Sequence, residues 1–559
     1  MTASPSAPAD LVLVGGDVAT MDAARSHARG VAVAGGRIVA VGSDPEIRRR
    51  VGPRTRVIEL AGRTLLPGFH DAHVHPAMAG PNLLRCPLHE VERTLDTYLE
   101  LIDRYARANP ADPWVQGDGW YMEAFPGGTP SRHDLDRVTG GRPAFFVNRD
   151  GHGAWVNTRA LELAGIGPET PDPADGRIER EPDGSPQGTL HEGAMEIVRR
   201  ILPPTTLEDR VAGLGKAQAY LHRLGVVGWQ DAWVTAEDLE GYLVFTERGH
   251  LTGRAVTCHW WDRERGGEQI DELVERRRAV ATRVPGSRLA GNTIKVMQDG
   301  VAENYTAAML DSYLDGHGHP TGNRGISFVD PEALKAHVTR LDALGFQVHF
   351  HALGDRAVRE ALDAVEAARA ANGFSDTRPH LAHLQVVDPA EIRRFRPLGA
   401  IANIQTYWAC NDGQMIDLTE PYLAPGRYRL QYPFRALLRA GVTVAAGSDW
   451  TVSTPNVMAQ AEVAVTRVSP ELRDRDPLLP DEAITLTDVL GAFTAGSAFV
   501  SHLEGTSGTV EVGKAADLVV LDRDVFAEAP GRIGDTRVLL TLVEGAAVHE
   551  DPALEGGAR

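Results

Sequence analysis

The alternation of short apolar runs with helical stretches constrains the fold of this chain more than any other feature. Most runs precede a stretch with helical periodicity, such as GDRAVREALDAVEAARAA after Gln347–His351. The next run precedes DPAEIRRF, with Asp388 at an N-cap position and Pro389 at the first helical position. With a strand at Leu65–Val74, the runs are Val226–Gln230, Ala255–His259, Thr293–Val296, Gln347–His351, Leu381–Leu384, Ala400–Gln405 and Val442–Ala446. Eight alternating βα units predict an α/β fold with a closed (β/α)8 barrel.

The two ends of the chain have a different texture. DLVLVGGDVATMD, GVAVAGGRIVAVGS and TRVIELAGRTLLPG near the start, and GTVEVGKAADLVVLDRD and TRVLLTLVEGAAVHE near the end, are short Val- and Ile-rich runs separated by glycine. Neither end is long enough to make a stable sheet alone. With 559 residues, more than one domain is expected. We therefore expect residues 1–64 and 505–555 to form one small β domain and residues 65–504 to form the barrel.

One interval, from about residue 77 to 205, is too long for a single βα loop. RTLDTYLELIDRYARANP reads as an amphipathic helix, and RPAFFVNRDGHGAWVNTRALELAGI as a strand, a turn and a helix. Long insertions after barrel strands lie over the C-terminal face of the barrel. The sequence predicts an insertion subdomain after the first strand that covers the substrate.

The histidines fall where the barrel strands end. His73 and His75 are two residues apart, so a strand places both imidazoles on one face. Because neighbouring imidazoles are costly in a core unless something binds them, the pair indicates a metal site. Strand ends converge at the C-terminal rim of a barrel, where Lys295, His351, His383 and Asp449 also fall. Four imidazoles and a carboxylate suit zinc or a similar divalent metal.

Asp449 has two roles open to it. Its carboxylate can ligate the metal, and it can take a proton from a metal-bound water whose pKa the metal lowers towards about 7. A carboxylate in that position works first as general base and then as general acid.

The motifs PGFHDAHVH, HFHALGD, HLAHLQ and GSDW, in this order, resemble the metal-dependent amidohydrolase superfamily. The closer resemblance is to the amidohydrolase family 3 type, the branch with N-substituted formamide deformylases. DGHGAWVNTRAL, GSPQGTLHEGA, KVMQDGVAENYTAAML and VEVGKAADLVVLD agree with it, so the resemblance covers nearly the whole chain.

The resemblance implies roles for matching positions. His73 and His75 correspond to the strand-one ligands, His351 and His383 to the strand-five and strand-six ligands, and Asp449 to the strand-eight base. Lys295 matches the position of a carboxylated lysine that bridges two metals, so one or two ions per chain are both open. The resemblance also implies that the terminal β domain is a composite β-sandwich.

Other readings of these residues stay open. The histidines can be hydrogen-bonded or core residues, Lys295 can pair with a carboxylate, and Asp449 can be an N-cap. His349 is interpreted as a supporting residue, His380 as facing away from the site, and Asp299 as fixing a loop. His152, in RDGHGAW, is a candidate second donor to the carbonyl oxygen, or else a turn residue. No role is assigned to Trp114, Trp120, Trp155, Trp408 and Trp450.

We therefore expect a metal-dependent hydrolase that cleaves a non-peptide C–N bond of an amide or formamide-like small molecule. A metal-assisted decarboxylation on the same barrel and a catalytically silent metal-binding scaffold are the alternatives. A two-histidine, one-carboxylate iron oxygenase would need fewer histidines.

The composition limits the partners. The net charge of −19 argues against nucleic acid and anionic membranes. The N-terminus lacks the pattern of a secretory signal, and no run is long enough to span a membrane. The three cysteines are far apart, which favours a reducing cytoplasm over a disulfide framework. A homodimer is the default expectation for oligomeric state.

Overall fold

The computed structural model describes residues 8–557, apart from residues 90, 150, 152, 174 and 175. The strands are β1 Leu11–Ala19, β2 His27–Ala34, β3 Arg37–Gly42, β4 Arg56–Glu59, β5 Thr64–Pro67, β6 Phe69–Val74, β7 Cys86–Pro87, β8 Val115–Trp120, β9 Ala144–Asn148, β10 Gly153–Val156, β11 Gly176–Arg180, β12 Pro186–Glu192, β13 Val226–Val234, β14 Arg254–Trp260, β15 Leu289–Met297, β16 Gln347–Ala352, β17 His380–His383, β18 Ile401–Ile404, β19 Val444–Ala446, β20 Leu518–Leu521, β21 Val538–Val543 and β22 Ala546–Glu550.

The α-helices are α1 Asp44–Arg48, α2 Pro76–Leu83, α3 Leu95–Ala108, α4 Arg132–Asp136, α5 Thr158–Leu163, α6 Gly193–Arg199, α7 Leu207–Arg223, α8 Ala236–Glu247, α9 Ile270–Arg283, α10 Pro331–Ala343, α11 Asp355–Asn372, α12 Pro389–Leu398, α13 Pro425–Tyr428, α14 Phe434–Arg439, α15 Val457–Thr466, α16 Leu486–Gly491 and α17 Ser497–Val500. Short 3-10 turns are Met122–Ala124, Pro126–Gly128, Gly267–Gln269, Ala302–Asn304, Thr406–Trp408, Glu420–Tyr422, Pro480–Glu482, Pro530–Asp535 and Pro552–Gly557, and π-helical turns are Gln414–Thr419 and Ala492–Gly496.

Eight parallel strands form the nearly closed barrel that the sequence predicts. The hydrogen-bonded order runs from β6 through β13, β14, β15, β16, β17 and β18 to β19. Strands β16 and β18 are buried along their whole length. Burial on both faces explains why β18 is largely apolar, whereas β16 alternates apolar residues with buried polar ones. The predicted cap of α12 is confirmed, since the Asp388 side chain accepts a hydrogen bond from the Ala390 N–H.

The first predicted strand, Leu65–Val74, is two strands rather than one. Residues of β5 pair with β1 and β20, whereas β6 pairs with β13 in the barrel. The chain changes sheets at Gly68, where a Cβ atom would lie 2.5 Å from a methyl carbon of Val227. Only glycine allows that close approach, so the single-strand prediction was wrong at this position.

The two chain ends meet in a sheet of their own. Its strands run in the order β22, β21, β20, β5, β1, β2 and β3, with β4 also paired to β1. Buried residues such as Leu13, Val31, Leu65, Leu518 and Leu540 form the core on this sheet. The hydrogen bonding links all eight strands without separating them into two sheets, so the β-sandwich stays a prediction.

Residues 77–217 form a separate compact unit. A six-stranded sheet runs in the order β11, β12, β10, β9, β8 and β7. The predicted amphipathic helix is α3, which begins after Thr94, whose hydroxyl accepts a hydrogen bond from the Thr97 N–H. The core of this unit contains the buried aromatic side chains of Trp120, Phe125, Phe146 and Trp155. The predicted substrate-covering role of this unit stays a prediction.

Within the described residues, no helix is both long enough and apolar enough to cross a membrane.

Candidate metal centre

Three predicted ligands meet where β6 ends and the chain leaves β19. The Asp449 Oδ1 atom lies 3.1 Å from His75 Nε2 and 3.3 Å from His73 Nε2. In the described part of the chain, this is the one group of three or more His, Cys, Asp or Glu side chains whose donor atoms all lie within 4.8 Å of one another. Backbone hydrogen bonds from the Asp449 N–H to His73 O (2.7 Å) and from the His75 N–H to Trp450 O (2.8 Å) join the two segments.

The remaining predicted ligands surround this cluster. Lys295 Nζ lies 3.5 Å from His73 Nε2. The ring of His383 has its centroid 4.7 Å from that of His73 and 4.6 Å from that of His351. All six predicted ligands are buried and lie at one rim of the barrel. His152 lies outside the described residues, so its predicted role stays a prediction.

Two of the predicted ligands have an unusual backbone conformation. His383 has φ +78° and Asp449 has φ +58°, in the left-handed region that non-glycine residues seldom adopt. The His383 N–H donates to the Gln405 side chain at 2.7 Å, which helps to hold that conformation. Backbone conformations of this kind cost energy and cluster at functional sites.

Further residues orient the imidazoles. His349 Nε2 lies 2.9 Å from His73 Nδ1, and Asp299 Oδ1 lies 3.1 Å from His351 Nδ1. Metal-binding histidines commonly engage their second ring nitrogen in this way, which fixes the ring and its tautomer. Asp299 also accepts hydrogen bonds from the Leu353 and Gly354 N–H groups, so it orients His351 and fixes the loop that follows.

Two residues of this surrounding layer were not recognised in the sequence. Asp71 accepts hydrogen bonds from the His73 and Ser448 N–H groups, and thereby holds β6 beside the segment after β19. Gln405 holds His383, as described above. Asp71 stands inside the motif PGFHDAHVH, and its place two residues before His73 was the available signal. For Gln405 the only signal was its place at the end of a predicted strand.

The electrostatics favour neutral imidazoles beside an ionised carboxylate. Burial, reinforced by the charge of Lys295, holds the pKa of His73 well below its usual range, and burial does the same for His383. Burial acts to raise the pKa of Asp449, but hydrogen bonds from His73 and His75 outweigh it and hold that pKa well below the usual value. Burial lowers the pKa of the Lys295 amine to about 8.

This donor set fits a divalent cation. Neutral imidazoles and a carboxylate are the nitrogen and oxygen donors that zinc and related metals take. The buried Nδ1 atom of His75 has no hydrogen-bond partner among the described residues. Buried polar atoms are normally paired. An unpaired ring nitrogen in this cluster therefore fits a site that binds an ion.

Comparison with known proteins agrees with this geometry. Residues 56–549 match the model of the amidohydrolase family. An N-substituted formamide deformylase from Arthrobacter pascens is 31% identical over 557 residues, covering 97% of this chain and 98% of the relative.

Solved structures share the fold. A metal-dependent hydrolase from Pyrococcus furiosus superposes with a TM-score of 0.71 at 22% identity, over 92% of this chain and 99% of that one. Atrazine chlorohydrolase TrzN from Arthrobacter aurescens, solved in complex with zinc, gives a TM-score of 0.52 at 17% identity, over 97% of this chain and 95% of that one.

Proposed function

The chain belongs to the amidohydrolase family, and from this premise we propose that it is a metal-dependent hydrolase of amide or formamide-like small molecules. The enzyme class is that of hydrolases acting on C–N bonds other than peptide bonds. The observation that carries the proposal is the buried cluster of His73, His75 and Asp449 at the barrel rim. The 31% identity to an N-substituted formamide deformylase supports formamides as the first substrates to try.

We assign the metal to this cluster and its neighbours. His73, His75, His351, His383, Asp449 and Lys295 would hold one or two divalent ions, and zinc fits the donor set. A bound divalent cation supplies positive charge that makes a water molecule more acidic and polarises a carbonyl oxygen.

Asp449 is assigned the proton transfers. Its carboxylate, whose pKa lies well below the usual range, accepts a proton as the oxygen of water forms a bond to the carbonyl carbon. The same carboxyl group then donates the proton to the departing nitrogen as the C–N bond breaks. The products are a carboxylic acid and an amine, so atoms and charges balance.

Lys295 is assigned a second contribution to the site. With its pKa lowered to about 8 by burial, part of its amine is neutral near neutral pH. A neutral amine forms an N–C bond with carbon dioxide and releases a proton, which leaves an anionic carbamate. Such an anion beside His73 would be an additional oxygen ligand for a pair of cations.

The first experiment is elemental analysis of the purified protein together with intact mass under conditions that preserve a carbamate. About two divalent metals and the added mass of carbon dioxide on the peptide containing Lys295 would support a site that holds two ions together with a carboxylated Lys295. About one metal and an unmodified Lys295 would favour a mononuclear site. A protein that binds no divalent metal when it is supplied would overturn the proposal.

The second experiment identifies the reaction. The metal-loaded protein is incubated with N-formyl and N-acyl amines and, separately, with aromatic carboxylic acids, and the products are separated and identified. Amine and acid in equal amounts support hydrolysis. Release of carbon dioxide from a carboxylated substrate, with no hydrolysis, would instead support the decarboxylation alternative. A loaded protein with neither activity would support the silent scaffold.

A further inference from the structure

Two tryptophans stack face to face at the end of adjacent barrel strands. Trp233 lies near the end of β13 and Trp260 is the last residue of β14; their ring centroids are 3.8 Å apart and their planes differ by 4°. Aromatic pairs prefer offset or edge-to-face arrangements with centroids farther apart. The backbone positions of the two strand ends, rather than an intrinsic preference of the rings, therefore impose this face-to-face stacking.

Trp260 faces the interior of the barrel. Two residues earlier on β14, the Cys258 Sγ lies 3.7 Å from His349 Nδ1, inside the barrel, and side chains two apart on a strand share a face. His259, between them, faces outward and lies 3.1 Å from the Gly291 carbonyl oxygen. Trp260 is paired in register with Lys295. It therefore stands one layer above Cys258, beside the strand that carries Lys295.

A β-bulge turns Trp233 towards the same rim. Asp231 pairs with Thr257 and Val234 with His259, so β13 carries one extra residue between these pairs. The Asp231 side chain faces outward and accepts a hydrogen bond from Tyr242 of α8. Without the extra residue, Trp233 would share that outward face. Bulges next to active sites commonly redirect a side chain in this manner.

Packing alone does not explain Trp233. It is 38% exposed, and in the described part of the chain it is the one tryptophan among the exposed large apolar side chains. One face of its ring is covered by Trp260, and the exposed surface remains available to a ligand. Ligand sites combine such apolar surface with a few polar groups that fix orientation.

We propose that Trp233, stacked on Trp260, is a subsite that binds a flat aromatic substituent of the substrate. This inference rests on the proposed hydrolase function, since it names the class of amide or formamide that the site prefers. The reactive cluster lies at the same rim, which would place the scissile C–N bond near Asp449 and the aromatic group on the indole. Stacking contributes a preference of about 3- to 10-fold beyond area burial.

The test compares two substrates of nearly equal size, N-formylbenzylamine and N-formylcyclohexylmethylamine, which differ in the flatness of the ring. We expect the wild type to prefer the aromatic substrate in kcat/KM by about 3- to 10-fold. Trp233→Leu is expected to remove this preference, and Trp233→Phe to retain most of it. Phe374→Leu is the matched control. Phe374 is also exposed, at 74%, but it lies before the start of β17, whereas the candidate metal centre lies where the strands end. This control should leave the preference unchanged.

The ratio between two substrates cancels any loss of folded or metal-loaded protein, because both are measured on the same variant. An unchanged ratio in Trp233→Leu, or no aromatic preference in the wild type, would overturn the proposal. If the wild type hydrolyses neither substrate, the proposed function fails, and calorimetric titration with benzylamine and cyclohexylmethylamine then tests the subsite alone. Tighter binding of benzylamine that Trp233→Leu abolishes supports the subsite. Equal or undetectable binding of the two amines overturns it.

Discussion

The two ends of the barrel interior use polar residues in opposite ways. At the end where the strands begin, Gln230, Thr293 and Gln347 bind one another: Thr293 donates to Gln347 at 2.8 Å, and Gln347 donates to the Val500 carbonyl at 2.8 Å. At the other end, the side chains are imidazoles, a carboxylate and an amine, and the buried Nδ1 of His75 has no partner among the described residues.

Strand β16 shows the difference along a single backbone. Gln347, His349 and His351 are two residues apart, so their side chains share the interior face in successive layers. Gln347 is satisfied by neighbouring amides and carbonyls, His349 contacts His73, and His351 contacts Asp299. A row of buried polar residues therefore indicates a site only in the layers where charged and metal-binding groups meet.

The largest expected effect is at the reactive end. Asp449→Asn removes the group that accepts and returns the proton, so kcat should fall by about 10²- to 10⁴-fold. The measurement is kcat for a formamide substrate, normalised to the metal content of each preparation. Asp535→Asn is the control and should retain activity, because Asp535 ends the 3-10 turn before β21, where it forms an ion pair with Arg473. Full activity in metal-replete Asp449→Asn would defeat the assignment.

A second effect tests whether the middle layer belongs to the site. His349→Ala removes the partner that holds the His73 ring, so metal affinity should fall by about 10- to 100-fold. Competition with a chromogenic chelator measures it. His259→Ala is the matched control, because His259 is equally buried in the barrel wall but faces outward to the Gly291 carbonyl oxygen. Equal losses in both variants would mean that the effect is one of general stability.

The sequence was sufficient for the alternation of strands and helices and for the order of ligand motifs. Buried parallel strands are rich in apolar residues, and the strand ends of a barrel converge, so both features follow from local pattern. The break at Gly68 had a signal in the sequence, since Pro67-Gly68 is a dipeptide that commonly interrupts a strand. The change from one sheet to the other was not predictable from that dipeptide, because it depends on the approach of Val227. The bulge beside Trp233 depends likewise on pairing with β14, and the roles of Asp71 and Gln405 depend on which backbone groups come near them.

The next effect is expected at the opposite end and on stability alone. Gln347→Leu removes the partner of the Arg378 carbonyl oxygen and of the Thr293 hydroxyl, and the shorter of two hydrogen bonds to the Val500 carbonyl oxygen. Leaving such buried groups unpaired costs about 1–3 kcal/mol in the free energy of unfolding. Denaturant titration measures the loss, while metal content and kcat should match the wild type. A loss of bound metal would show that the two ends are not independent.

The smallest effect gives the sharpest form of the comparison, because it uses a residue two positions from Lys295 on β15. Thr293→Val keeps the shape of the side chain and removes its hydrogen bond to Gln347, at a cost of about 1 kcal/mol in the free energy of unfolding. Lys295→Met, on the same face of the same strand, should instead lower metal content and kcat. If the separation of the two ends is real, Thr293→Val shifts the denaturation midpoint and leaves kcat and metal stoichiometry unchanged. If Thr293→Val also lowers metal content, the polar layers act as one network. The amides of Gln230 and Gln347 would then belong to the residues that position the metal site.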